Sequence, residues 1–127
     1  MKRTLRNKAA KGAMFERELL QFLHAKSFSV IRAPSSGGYY YPVDIVAIKQ
    51  GKILAFECKN YKVKPKPEKK QITSFLEWCK RAGAIGFLAW RTPNNEWKFL
   101  RMEDAEKNKY DDENWFEMPT LEKCFMF

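Results

Sequence analysis

The chain has 127 residues, enough for one domain around one hydrophobic core and too few for a comfortable second. An apolar fraction of 45% excludes a disordered chain, and no run nears the ~18 apolar residues of a membrane span, so no membrane partner is expected. A formal net charge of +9 points to polyanions, with nucleic acid first among them.

Lys2, Arg3, Arg6, Lys8 and Lys11 give residues 1–11 the pattern of a flexible basic arm that can lie along phosphates. Residues 12–26 read as a helix with Phe15, Leu19, Phe22 and Leu23 as its buried stripe. Glu16, Arg17 and Glu18 sit in its early turns. Residues 27–33 are β-rich and predict a strand. Residues 34–42 are a loop punctuated by Pro and Gly, where Tyr39, Tyr40 and Tyr41 either stack on exposed bases or cover the loop or core. Residues 43–49 and 52–59 predict two strands joined by Gln50-Gly51, a tight hairpin signal. Residues 60–70 form a loop rich in Lys and Pro. In it Lys62, Lys64, Lys66, Lys69 and Lys70 are either phosphate contacts or simply solvated.

A second helix begins near Glu68, carries Ile72, Phe75, Leu76 and Cys79 at helical spacing as core, and ends at Ala82-Gly83. Residues 84–90 predict a central strand, and residues 96–101 another after a turn at Pro93-Asn94-Asn95. Asp111, Asp112 and Glu113 make an acidic turn, and Thr120 is a candidate cap for a short helix carrying Leu121, Cys124 and Phe125. Trp78 and Phe87 are candidates for a dimer surface. The order α-β-β-β-α-β-β predicts an α/β fold, a mixed sheet of about five strands flanked by helices.

Cys58, Cys79 and Cys124 form no CxxC, which argues for a reducing, intracellular setting without disulfides or zinc, with all three as small buried residues. His24 is the only histidine and falls on a polar helix face, so multi-histidine metal sites and a histidine-based triad are excluded. Metal chemistry here must rest on carboxylates and backbone oxygens.

The hairpin supports a geometric deduction. With Gln50-Gly51 as the turn, Lys49 faces Lys52, Ile48 faces Ile53 and Asp44 faces Glu57. Glu57 and Lys59 are two apart and share a face. Asp44, Glu57 and Lys59 should therefore converge, with Ile45, Ala47, Leu54, Phe56 and Cys58 on the opposite, core side. Facing carboxylates repel. Either Lys59 neutralises them in a salt-bridged surface hairpin, or a divalent cation does. Mg²⁺, or Mn²⁺ in its place, accounts for the pair better, with the Cys58 carbonyl as a candidate third ligand. Such a cation with Lys59 suits phosphodiester hydrolysis, and no organic cofactor is called for.

Asp44, twelve intervening residues and then Glu57-Cys58-Lys59 resemble the core of PD-(D/E)XK nucleases, with Val43 where that pattern has Pro. Residues 12–19 (GAMFEREL), 28–37 (FSVIRAPSSG), 44–47 (DIVA) and 56–59 (FECK) resemble the archaeal-type Holliday junction resolvases, over roughly residues 8 to 101. The resemblance implies a restriction-endonuclease-like catalytic core over 12–101 with an extension over 102–127. It implies a homodimer that nicks opposing strands of four-way junction DNA with Mg²⁺, in the cytoplasm or nucleoid, or in a host's cytoplasm for a viral protein. It assigns Glu16, Asp44 and Glu57 as active-site and metal carboxylates, Lys59 as the catalytic lysine, and Ser36 as a serine near the scissile phosphate. Arg17 and Arg32 fall at basic positions for DNA binding or catalysis, with Lys8, Lys11, Lys62, Lys64 and Lys69 as further DNA contacts. A nuclease acting on flaps, ends or duplex DNA, or a non-catalytic DNA-binding module, are the competing readings.

Overall fold

The computed structural model describes residues 5–33 and 41–123. Helix α1 (Leu5–Ala25) starts earlier than expected and takes in most of the stretch read as a flexible arm. Leu5, Arg6, Lys8, Ala9, Ala10 and Lys11 are strong helix formers, and Gly12 does not interrupt them. Leu19 and Leu23 are buried as expected, whereas Phe22 is 43% exposed. At 3.6 residues per turn Phe22 lies ~60° from Leu19, at the edge of the apolar stripe. The helix ends in a Schellman turn: Phe28 N–H donates to Leu23 O (3.1 Å), Ser27 takes φ 73°, and Phe28 is buried.

The strands are β1 (Ser29–Arg32), β2 (Ile45–Lys49), β3 (Lys52–Lys59), β4 (Ala84–Arg91), β5 (Trp97–Arg101) and β6 (Phe116–Glu117). They form one six-stranded sheet in sequence order, with β3 and β4 parallel and the other neighbours antiparallel. The sixth strand, β6, adds one to the expected count. Gln50 and Gly51 have φ of 49° and 81°, the positive values a two-residue hairpin turn requires. The register runs from Lys49↔Lys52 to Ile45↔Phe56, as the turn implies. Between the parallel strands, α2 (Lys69–Ala82) makes the crossover and stops at Gly83, whose φ of 71° and N–H bond to Cys79 O close it. A Cβ on Gly86 would lie 2.4 Å from the Phe75 ring, so glycine lets α2 lie close against β4.

Both faces of the sheet are covered. Ile45, Leu54, Phe56, Phe87 and Phe99 pack with Leu19 and Leu23 of α1 and with Leu121 of α4 (Met118–Lys123). Val43, Ala55, Leu88 and Leu100 pack with Ile72 and Phe75 of α2 and with Met102 of α3 (Met102–Glu106). Phe87 is thus fully buried, stacked on Phe56, and is no dimer-surface residue; Trp78 is half-buried against the second cluster. Thr120 lies inside α4 rather than capping it, because Pro119 is tolerated in a helix's first turn, where its missing N–H is not needed. The acidic turn forms as a 3₁₀ turn (Asp112–Asn114). His24 is exposed, and Cys58 and Cys79 are buried. Ser36, Tyr39, Tyr40, Cys124 and Phe125 lie outside the described residues. Among those described, no helix is long and apolar enough to cross a membrane.

Candidate active site

The burial of β3 on both faces puts its C-terminal end in a low-dielectric setting. Leu54 through Cys58 are all buried, and Glu57 is only 7% exposed. Asp44 precedes β2 by one residue and is 8% exposed. Its N–H donates to Phe56 O (2.9 Å), and its carbonyl accepts from Ala33 N (2.8 Å). Its carboxylate Oδ2 accepts the Cys58 N–H (2.7 Å). These bonds tie Asp44 to β3 beside Glu57, although the ladder itself stops at Ile45↔Phe56.

Glu57 Oε1 lies 3.5 Å from Lys59 Nζ, while its Oε2 is buried without a hydrogen-bond partner. Burial pushes the Glu57 carboxyl upward, Lys59 opposes this, and Asp44 adds to it. Burial alone would lower Lys59, but Glu57, Tyr61 and Asp44 together outweigh it, so Lys59 is raised and remains an ammonium. Glu16 reaches the region from α1, with Oε2 2.6 Å from Arg32 Nε. Burial and then Asp44 raise it, against the pull of Arg32. The Cys58 thiol is pushed far up by burial first, and Asp44, Glu16 and Glu57 add to the rise while Lys59 opposes it.

Among the described residues no group of three or more His, Cys, Asp or Glu side chains stands ready to hold a metal ion. The expected trio of Glu16, Asp44 and Glu57 is therefore not assembled as a closed ligand set, since Arg32 holds Glu16. The pair Asp44 and Glu57 does fit a hard divalent cation: an orphaned buried carboxylate oxygen beside a second carboxylate is what such an ion would satisfy. Magnesium takes few protein ligands, so two suffice.

Of the basic residues singled out, Arg17, Lys62 and Lys69 are exposed and available to phosphate. Arg32 is committed to Glu16. Lys64 is paired with Asp112 and donates to Tyr110 O (3.4 Å), and Lys66 sits over the Tyr110 ring (5.1 Å). Lys8 and Lys11 fall in α1, and nothing of their side chains is described. Sequence reasoning missed Tyr61, whose ring lies 5.6 Å from Lys59 Nζ; its place two residues beyond Lys59, at the start of the loop that leaves β3, was the available signal. It also missed the tie of Glu18 to Arg91 (3.1 Å) and Trp97 (3.0 Å), which anchors α1 to β4 and β5 and spans too much sequence to be read from local pattern.

Comparison with known proteins follows the same lines. A family model described as archaeal Holliday junction resolvase (Hjc) matches residues 7–116, past the limit of 101 expected from the motifs. The crossover junction endodeoxyribonuclease Hjc of Methanocaldococcus jannaschii is 37% identical over 86 residues, 67% of this chain and 62% of that protein. That of Sulfolobus acidocaldarius is 34% identical over 103 residues, 78% of this chain and 71% of that protein. The chain thus spans somewhat under two thirds of the first relative's length. The solved structure of Archaeoglobus fulgidus Hjc, a Holliday junction resolvase, superposes with a TM-score of 0.76 at 25% identity, covering 89% of this chain and 99% of that one. This protein belongs to the archaeal Holliday junction resolvase (Hjc) family.

Proposed function

We propose that the chain is a structure-selective endonuclease that resolves four-way DNA junctions, as in recombination and repair, by paired nicks in opposing strands that depend on Mg²⁺ or Mn²⁺. The observation that carries this reading is the buried, unpartnered Glu57 Oε2 beside Asp44, with the Lys59 ammonium 3.5 Å from the other Glu57 oxygen. Asp44 and Glu57 would hold the ion, which when bound supplies Lewis-acid polarisation of a phosphoryl oxygen and activation of a water. Lys59 donates hydrogen bonds to the charge that develops on the phosphate. Cys58 N–H fixes the Asp44 carboxylate, and Arg32 fixes Glu16 at the edge of the site. Arg17, Lys62 and Lys69 contact the phosphate backbone, which positions the DNA without reading its sequence. Two copies of the chain supply the two sites that paired nicking needs.

A labelled immobile junction and a linear duplex with the same arms, each incubated with Mg²⁺ or with chelator, test the proposal. Mg²⁺-dependent cutting of the junction alone is expected. Equal cutting of duplex would favour a general nuclease, and binding without cutting would leave only a DNA-binding module.

A further inference from the structure

Lys59 is a flexible four-carbon stem, and its ion-pair distance to Glu57, 3.5 Å, is long. An ammonium that must meet a phosphate at a fixed point needs a second hold. Tyr61 supplies the geometry for one: Lys59 Nζ lies 5.6 Å from its ring centroid, within cation–π range. The Tyr61 backbone is pinned in turn, because Trp90 Nε1 donates to Tyr61 O (2.8 Å). Trp90 is the cross-strand neighbour of Lys59 in the parallel β3–β4 pair, and it packs edge-on against Trp115 (5.5 Å). A chain of contacts thus runs from the segment after α3, through two tryptophans, to the lysine. Tyr61 itself is 48% exposed, so burying its ring does not account for its position.

On the reading of the site given above, we propose that Tyr61 is a positioning residue, holding the Lys59 ammonium beside the Asp44–Glu57 pair. Its hold does not draw on the carboxylates, so it persists when Glu57 engages another cation.

The test compares wild type, Tyr61→Phe, which keeps the ring face, and Tyr61→Leu, which keeps bulk without it. Single-turnover nicking of a four-way junction in Mg²⁺ should stay within about twofold of wild type for Phe and fall roughly 3- to 30-fold for Leu, with junction affinity in chelator unchanged. In the metal-free protein without DNA, the ring-current shift of the Lys59 Hε protons should persist in Phe and vanish in Leu. Wild-type nicking by Tyr61→Leu, equal loss in Phe and Leu, or an unmoved Hε shift in Leu would overturn the proposal. Absence of nicking by wild type would instead overturn the nuclease reading, and the proton shift would still decide whether the ring holds the lysine.

Discussion

Replacing Asp44 with Asn removes one charge and keeps an acceptor for the Cys58 N–H, so it separates electrostatics from structure. Asp44 adds to the upward push on the Glu57 carboxyl, and two unit charges ~5 Å apart repel by about 3 kcal/mol at an effective dielectric of 20. Against that gain, the bond to Cys58 loses its charge assistance, a cost of about 1 kcal/mol. The net expectation in chelator is a gain of about 1–2 kcal/mol, or roughly 4–8 °C in Tm for a domain of this size. Mg²⁺ reverses the order. At a hundredfold excess over Kd it should stabilise the wild type by about 2.7 kcal/mol and leave the variant almost unmoved. Thermal melts with Mg²⁺ and with chelator read both effects. A variant that melts below wild type in chelator and shows the same Mg²⁺ shift would refute the argument that the two carboxylates repel and share an ion.

Further outcomes follow from the packing and the charges. Gly86→Ala drives a Cβ into the Phe75 ring and the Cys79 sulfur, and should cost about 1–3 kcal/mol; an unchanged melt would mean that α2 does not depend on this close approach. Glu57 has a folded-state pKa above its ordinary 4.5, so its contribution to stability is full below that value and is lost as pH rises through the folded one. Metal-free Glu57→Gln should therefore gain on wild type at about pH 8, and the gain should shrink as pH falls toward 4.5; parallel stability–pH curves would contradict this. Lys62→Ala and Lys69→Ala should each weaken binding to any DNA and reduce the slope of log affinity against log salt by about 1, whereas a change in sequence preference would argue against phosphate contact.

The hairpin and the pair of residues at the end of β3 were legible in the sequence because local rules decide them. Gln50-Gly51 sets the turn and the turn sets the register as far as Ile45↔Phe56; beyond it the expected pairing of Asp44 with Glu57 gives way to the bonds of Asp44 to Phe56 O and the Cys58 N–H, while alternation puts Lys59 on the side of Glu57. The second covered face of the sheet was less visible. The alternation suggested one core side, yet Val43 and Ala55 pack under α2 and α3 as well, and that burial is what perturbs Glu57. Glu16 shows a different limit. Its position on α1 was readable, but its engagement with Arg32, 16 residues away, is a tertiary choice that removes it from a ready-made ligand trio. Phe87 was misjudged because an aromatic in an apolar strand reads alike whether it faces a partner or a core. Helix α3 and strand β6 are five and two residues long, too short for periodicity to mark.

Mapping nicks strand by strand on a four-way junction, with wild type and Asp44→Asn side by side in Mg²⁺, addresses the active-site assignment most directly. Two symmetric cuts in opposing strands are expected from the wild type, and none from the variant while it still binds the junction in chelator. Matching cut patterns from both proteins would show that hydrolysis does not run through Asp44.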